Sequence, residues 1–235
     1  MPPVEKTRMP ARAASNSEDE TVVAPTAQRW AVGATTVSSS LLLAARAGIR
    51  VFSTGGIGGV HRGAETSGDI SSDLGAIAQH HVVTVCAGAK SFLDLPRTLE
   101  YLETLSVPVL GLGCDFFPEF TVERGDIKIP ARVNTIQELA EIVRANDALG
   151  RKGGILACVP VPKKDGLLKS FMDEITATAL NDANNQGITG AAVTPYVLKF
   201  IANATQDASV KANLSLAENN ARTAAQLAVE LSIAQ

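Results

Sequence analysis

Between residues 50 and 158 the chain repeats one pattern: a short apolar run, a glycine or small-residue break, then a longer stretch with helical spacing. Arg50-Val51-Phe52-Ser53, His81 to Cys86, Val107 to Leu110 and Gly154 to Cys158 read as strands. Thr35 to Ala47, Ser71 or Ser72 to Gln79, Asp94 to Leu105 and Thr135 to Leu149 read as the helices around them, with Gly48 closing the first. Strands that alternate with helices form a largely parallel sheet with helices packed on its faces. The expected fold is therefore α/β, a layered α/β/α sheet domain. After Pro160 and Pro162 the pattern turns wholly helical, over Leu168 to Asn184, Pro195 to Ala202 and Leu214 to Ser232. No internal repeat is visible.

Residues 1–28 mix Pro, Ser, Ala and both charge signs with no helical or strand period, and predict a disordered tail. The folded domain is expected over 29–235. Its composition, with 46% hydrophobic and 19% charged residues in a chain of 235, is enough to bury a sizeable core. Aromatics are only 4%, the net charge is −3 and there is no basic stripe, which excludes nucleic acid as an electrostatic partner. No apolar run approaches the roughly 18 residues that span a bilayer, and no apolar core of a secretory signal opens the chain, so no membrane partner is expected. Cys86, Cys114 and Cys158, without a Cys-x-x-Cys spacing, read as buried thiols of a reducing compartment. A cytoplasmic setting follows. Lys6, Arg8 and Arg12 ahead of Glu18 leave a mitochondrial presequence as the alternative, against which stand Glu5 and the lack of an apolar helical face.

Three segments sit just past a strand's carboxyl end, where open α/β sheets place ligands. In Thr54-Gly55-Gly56-Ile57-Gly58-Gly59-Val60-His61-Arg62-Gly63, four glycines in five positions let backbone amides approach an anion, and His61 and Arg62 add donors suited to phosphate. The alternative is a tight turn with a structural histidine. The spacing is neither the dinucleotide fingerprint nor a P-loop. In Asp69-Ile70-Ser71-Ser72-Asp73, two carboxylates beside hydroxyls can hold a hard cation or orient sugar hydroxyls, or they can simply cap the following helix. In Cys86-Ala87-Gly88-Ala89-Lys90-Ser91, a lysine among small apolar neighbours loses hydration, which favours the neutral amine that attacks carbonyls. A lysine that snorkels to solvent is the plainer reading. Cys86 reads as a packing thiol. A phosphate cradle, an oxygen-rich site and an amine nucleophile together suit Schiff-base chemistry on a phosphosugar.

These residues, with Gly33-Ala34-Thr35-Thr36-Val37, Phe117-Pro118-Glu119-Phe120, Val159-Pro160-Val161-Pro162, Gly187-Ile188-Thr189-Gly190, Thr194-Pro195-Tyr196, Lys211-Ala212-Asn213-Leu214 and Asn219-Asn220-Ala221, make the chain resemble the pseudouridine-5′-phosphate glycosidase family, also called the indigoidine synthase A family. The resemblance covers roughly residues 31–235. It implies an α/β/α homotrimer that uses a divalent metal, typically Mn²⁺. It also implies reversible cleavage of the C–C glycosidic bond of pseudouridine 5′-phosphate to uracil and ribose 5-phosphate. By motif, Lys90 matches the catalytic nucleophile that forms an imine on C1′ of the ring-opened sugar, and Asp69 the metal ligand. Ser71, Ser72 and Asp73 match a substrate-binding stretch, and Val37 a backbone contact to substrate. His61 and Asn213 match positions that touch phosphate and the sugar or base.

The family pattern also includes an upstream Ala-Leu-Glu-Ser-Thr-like segment with a general-acid glutamate, and a substrate-contacting lysine before the Gly-Ala-Thr-Thr-Val motif. Residues 1–28 hold neither, and Lys6 sits in a different setting, so the domain is expected to be N-terminally incomplete. Val159 stands where the family often has Asn, and Thr121 to Asp126 diverge. Two other functions fit the same residues: a catalytically silent oligomer subunit, and another Schiff-base phosphosugar lyase or aldolase.

Overall fold

The computed structural model of the protein describes residues 35–233; the tail expected over residues 1–28 lies outside them. In chain order the elements are α1 (Val37–Arg46), β1 (Val51–Ser53), α2 (Ala64–Ser67), α3 (Ser72–Gln79), β2 (Val83–Cys86), α4 (Leu95–Thr104), β3 (Val109–Leu112) and β4 (Ala131–Val133). They continue with α5 (Ile136–Ala148), β5 (Ile155–Cys158), α6 (Lys169–Asn185), a 3-10 turn (Gly190–Ala192), α7 (Val193–Ala204) and α8 (Ala208–Ser232).

The strands form one sheet in the order β1-β2-β5-β3-β4, parallel throughout. β5, last in sequence, lies at the centre, with Ile155 opposite Val83 and Leu156 opposite Val109. A central parallel strand is covered on both faces, which is why Ile155 to Cys158 is a continuous apolar run. Alternating side chains feed two cores. Cys86, Leu156 and Cys158 join Leu41, Leu74, Ile77 and Leu102 from α1, α3 and α4 on one face. Val83, Val85, Ile155 and Ala157 join Leu139 and Val143 of α5 and Leu227 of α8 on the other. The expected α/β/α layering is present. Met172, Val197 and Ile201 of α6 and α7 extend the first core, together with Phe92 and Phe117.

Local chemistry sets the helix ends. Thr36, Ser71, Asp94 and Thr135 cap α1, α3, α4 and α5, each accepting a first-turn amide on its side-chain oxygen. Gly48, at φ +72°, takes the left-handed conformation that ends α1. α2 and β4 were not expected from the sequence, and β3 and α8 have other bounds than it suggested. β3 runs to Leu112 rather than Leu110, because Gly111 and Leu112 pair with Arg132 and Val133 of β4. That edge strand buries only Val133, so no apolar pattern announces it. α8 begins at Ala208 rather than Leu214, after Gln206 (φ +48°) and Asp207 (φ +62°) turn the chain. No helix among the described residues is long and apolar enough to cross a membrane.

Candidate active site

Beyond β1 and β2 the backbone ladder continues irregularly. Thr54 N–H donates to Val85 O (3.0 Å), Ala87 N–H to Gly55 O (2.8 Å), Ile57 N–H to Gly88 O (3.0 Å) and Lys90 N–H to Ile57 O (3.2 Å). The glycine run and the segment leading to Lys90 therefore hold each other. Crowding explains the glycines. A Cβ on Gly58 would stand 2.2 Å from Ser71 Oγ, on Gly59 2.5 Å from Thr98 Oγ1, and on Gly56 2.7 Å from the Phe120 ring. Several amides are engaged as well. Gly58 N–H donates to Asp73 Oδ2 (2.8 Å), Val60 N–H to Thr98 Oγ1 (3.0 Å) and His61 N–H to Asp69 O (3.0 Å). Much of the run is thus packing material. Among the described residues, the Gly55, Gly56 and Gly59 amides, of those in Gly55 to Val60, have no internal acceptor; Gly59 is buried, and Gly55 and Gly56 are partly exposed.

The two carboxylates of Asp69 to Asp73 divide their roles. Ser71, not Asp69, caps α3, accepting Asp73 N–H at 3.3 Å. Asp73 is buried, and its Oδ1 accepts Ser38 N–H (3.0 Å) while Oδ2 accepts Gly58 N–H. Ser72 Oγ donates to Ser38 Oγ (3.0 Å). Val37, Ser72 and Asp73 therefore meet where the amino ends of α1 and α3 join, and the Asp73 carboxylate is committed to that joint. Asp69 stays partly exposed, with Oδ2 3.8 Å from His61 Nδ1. The two segments are further zipped by Ser71 N–H donating to Gly59 O (3.0 Å). Among the described residues, no three His, Cys, Asp or Glu side chains gather where they could hold a metal ion. Asp69 alone fits the sparse coordination in which one carboxylate holds a hard cation that keeps its waters and takes substrate oxygens.

Lys90 is half-buried and its amine makes no ion pair with a described residue. The next two residues, Ser91 and Phe92, line an open cleft of about 100 Å³, closed elsewhere by Phe120, Met172, Leu198 and Asn213. Asn213, on α8, brings Oδ1 to 3.2 Å from where a Cβ on Gly55 would sit. Lys90 and Asn213, far apart in sequence, flank the same glycine segment. The Cys158 thiol is pushed well up by burial, beside Cys86, and burial pushes Cys114 up to about 11. Cys86 and Cys158 are fully buried, as packing thiols are.

Two features carried no assigned role in the sequence reading. Asn220 is fully buried on α8, and its Nδ2 donates to Thr54 O (2.9 Å) and Gly55 O (3.1 Å). Its signal was the helical spacing of Asn213, Leu216 and Asn220 along one face. Glu119 is also buried; its Oε2 accepts from Lys169 Nζ (3.0 Å) and its Oε1 from Asp126 N–H (3.2 Å). Burial disfavours the Lys169 charge, yet the Glu119 and Asp173 carboxylates outweigh it and hold that amine above its ordinary range. No sequence spacing could have paired residues 119 and 169.

A parallel sheet whose strand ends gather a lysine, a His–Asp pair and an open cleft places the molecule among α/β proteins that bind ligands at that edge. Residues 11–230 match the model of the Indigoidine synthase A like protein family, and the chain belongs to that family. It is 48% identical over 200 residues to the pseudouridine-5′-phosphate glycosidase of Solibacter usitatus, which covers 85% of this chain and 67% of that one. The chain spans 64% and 59% of the length of two further curated relatives of the same name. Its fold resembles the prealnumycin C-glycosynthase AlnA in complex with ribulose 5-phosphate, with a TM-score of 0.86 at 34% identity over 94% of this chain and 73% of that one. An indigoidine synthase A-like protein from Thermotoga maritima matches with a TM-score of 0.76 at 32% identity, over 85% of this chain and 65% of the other.

Proposed function

We propose that this chain carries the imine-forming centre of a pseudouridine-5′-phosphate glycosidase, with Lys90 as the nucleophile. The observation that carries the reading is the position of Lys90. Its backbone is fixed by Ile57 O, its amine has no counter-ion among the described residues, and a cleft opens beside it. Names of relatives support the substrate, and AlnA supports a five-carbon sugar phosphate as the ligand class.

The chemistry follows from the bond to be broken. A C–C glycosidic bond offers no leaving oxygen to protonate, so the usual pair of carboxylates is insufficient. Lys90 Nζ bonds to C1′ as the ring oxygen departs. The nitrogen passes a proton to the departing ring oxygen, and its lone pair then expels uracil as C5 takes a proton from water, leaving an iminium between Lys90 and C1′. Addition of water releases ribose 5-phosphate and the free amine. His61 and the free amides of Gly55 and Gly56 serve phosphate and sugar oxygens, and Asn213 orients the base with its amide. Asp69 is the residue that would hold Mn²⁺, and such an ion supplies positive charge to substrate oxygens when bound. A homotrimer in the cytoplasm belongs to the same reading, and three free thiols accord with a reducing compartment.

The test is borohydride trapping with ribose 5-phosphate, followed by peptide mass spectrometry. The expected product is a reduced adduct on Lys90, absent from Lys90→Gln. A folded protein that yields no adduct, or one on another lysine, removes the proposal.

A further inference from the structure

The segment ahead of Lys90 is gripped from two sides. On one lies the glycine run. On the other the excursion between β3 and β4 passes directly over it: Gly88 and Glu119 form an antiparallel bridge, and Phe120 N–H donates to Ala87 O (2.9 Å). The contact leaves no slack, since a Cβ on Gly88 would stand 1.8 Å from Pro118 O. Phe120, next in sequence, lies over Gly56 and forms a wall of the cleft.

Beside backbone hydrogen bonds such as Glu123 N–H to Leu167 O, a half-buried charge pair holds this excursion. The Glu119 side chain is 3% exposed, and its Oε2 meets Lys169 Nζ, at the start of α6, at 3.0 Å. Its other oxygen binds Asp126 N–H, and a Cβ on Gly125 would stand 2.8 Å from that oxygen. A buried carboxylate with one cation and one amide has few alternative arrangements, so the pair sets position as well as energy. Lys169 also meets Asp173 at 3.2 Å, which orients the amine from its exposed side.

We infer that Glu119, held by Lys169, is a positioning residue for Lys90. The pair fixes Pro118 to Phe120, and that strip sets both the reach of the Lys90 amine and the wall against which the sugar lies. The inference rests on the reading of Lys90 as the imine-forming amine. It assigns Glu119 and Lys169 no contact with substrate.

The test compares borohydride trapping rates with ribose 5-phosphate in the wild type, Lys169→Met, Lys169→Arg and the double variant Glu119→Gln/Lys169→Met. Each full chain is checked for folding by circular dichroism. Small misplacement of a reacting group costs roughly 10- to 100-fold. Lys169→Met should lose that much of the saturating trapping rate, with the half-saturating sugar concentration unchanged, because the phosphate contacts lie elsewhere. Lys169→Arg should restore most of the rate.

The double variant separates positioning from stability. Removing both charges should recover thermal stability relative to Lys169→Met but leave trapping slow. Recovery of both properties together, or wild-type trapping by folded Lys169→Met, overturns the inference. Should Lys169→Met fail to fold, the double variant carries the comparison against the wild type alone. A wild type that traps nothing at Lys90 removes the functional reading and this inference with it.

Discussion

The two sides that grip Lys90 are built differently. On the side of α1 and α3, the joint is made of backbone amides around one buried carboxylate: Asp73 takes Ser38 N–H and Gly58 N–H. Everything it binds is main chain, already fixed by caps and glycine packing. On the side of α6 and the β3–β4 excursion, the joint is side chain to side chain, Glu119 to Lys169, between segments that no local motif links. That side also borders the open cleft, and Leu168 and Phe171 near the same helix end remain 66% and 45% exposed. The first joint behaves as a floor and the second as a wall. The main-chain joint can be broken only at its carboxylate, whereas the side-chain joint can be broken from either partner.

The largest expected effect lies where the two sides touch. Gly88→Ala must force a methyl into Pro118 O at a residue with φ +68°, so a loss above about 4 kcal/mol is expected, and the purified chain should be largely unfolded by circular dichroism. A variant with native melting would show that floor and wall are not in rigid contact. Next comes Asp73→Asn. One of its amide-side atoms must face a backbone donor, leaving that N–H unpaired, at a cost of about 2–3 kcal/mol in urea unfolding. A cost within the few tenths typical of surface changes would mean that the floor is softer than its hydrogen bonds imply.

The smallest effect sharpens the comparison from the opposite end of the sheet. There Asp147 accepts from Arg50 (2.9 Å) and His81 (2.7 Å). Burial raises its carboxyl, but the hydrogen bonds from Arg50 and His81 outweigh this and hold it below its ordinary value. A depressed carboxyl contributes stability that is present above its unfolded range and is lost as pH falls through its folded one. The advantage of wild type over Asp147→Asn should therefore be full at neutral pH and fade under acid. At this partly exposed site the difference should be small, and trapping at Lys90 should not change. An advantage that persists at pH 2, measured by urea unfolding, would assign Asp147 a packing role instead.

Much of this architecture was legible in the residues. The helix over α3 was expected to be capped by Ser71 or Ser72, and Ser71 caps it; Asp94 and Thr135 open the expected helices α4 and α5 and cap them in the structure. The runs over β2 and β5 are largely apolar because inner parallel strands are covered on both faces, and all their residues are buried. β4 was illegible for the converse reason: as an edge it exposes Ala131 and Arg132, and its pairing comes from β3 rather than from its own pattern. The start of α8 was hidden because Ala208 to Asn213 hold alanine, polar and charged residues that suit helix and loop alike.

The same division holds at the site. Sequence alone determined the alternation of strand and helix, hence a layered parallel sheet, and put Lys90 and the glycines just past strand ends, because those signals are local and periodic. It left open which of Asp69 and Asp73 was a cap, a strut or a free carboxylate, since at that spacing the three look alike. Only the tertiary structure decided between Ser71 and Ser72 as the cap, and showed that Asp73 is bound by amides from two distant segments and that Asp69 stays partly exposed beside His61. It alone brought Asn213 and Asn220 to Gly55, and Glu119 to Lys169. Those pairings depend on how helices dock on a twisted sheet, which is set by packing of the two cores and leaves no mark in the order of residues.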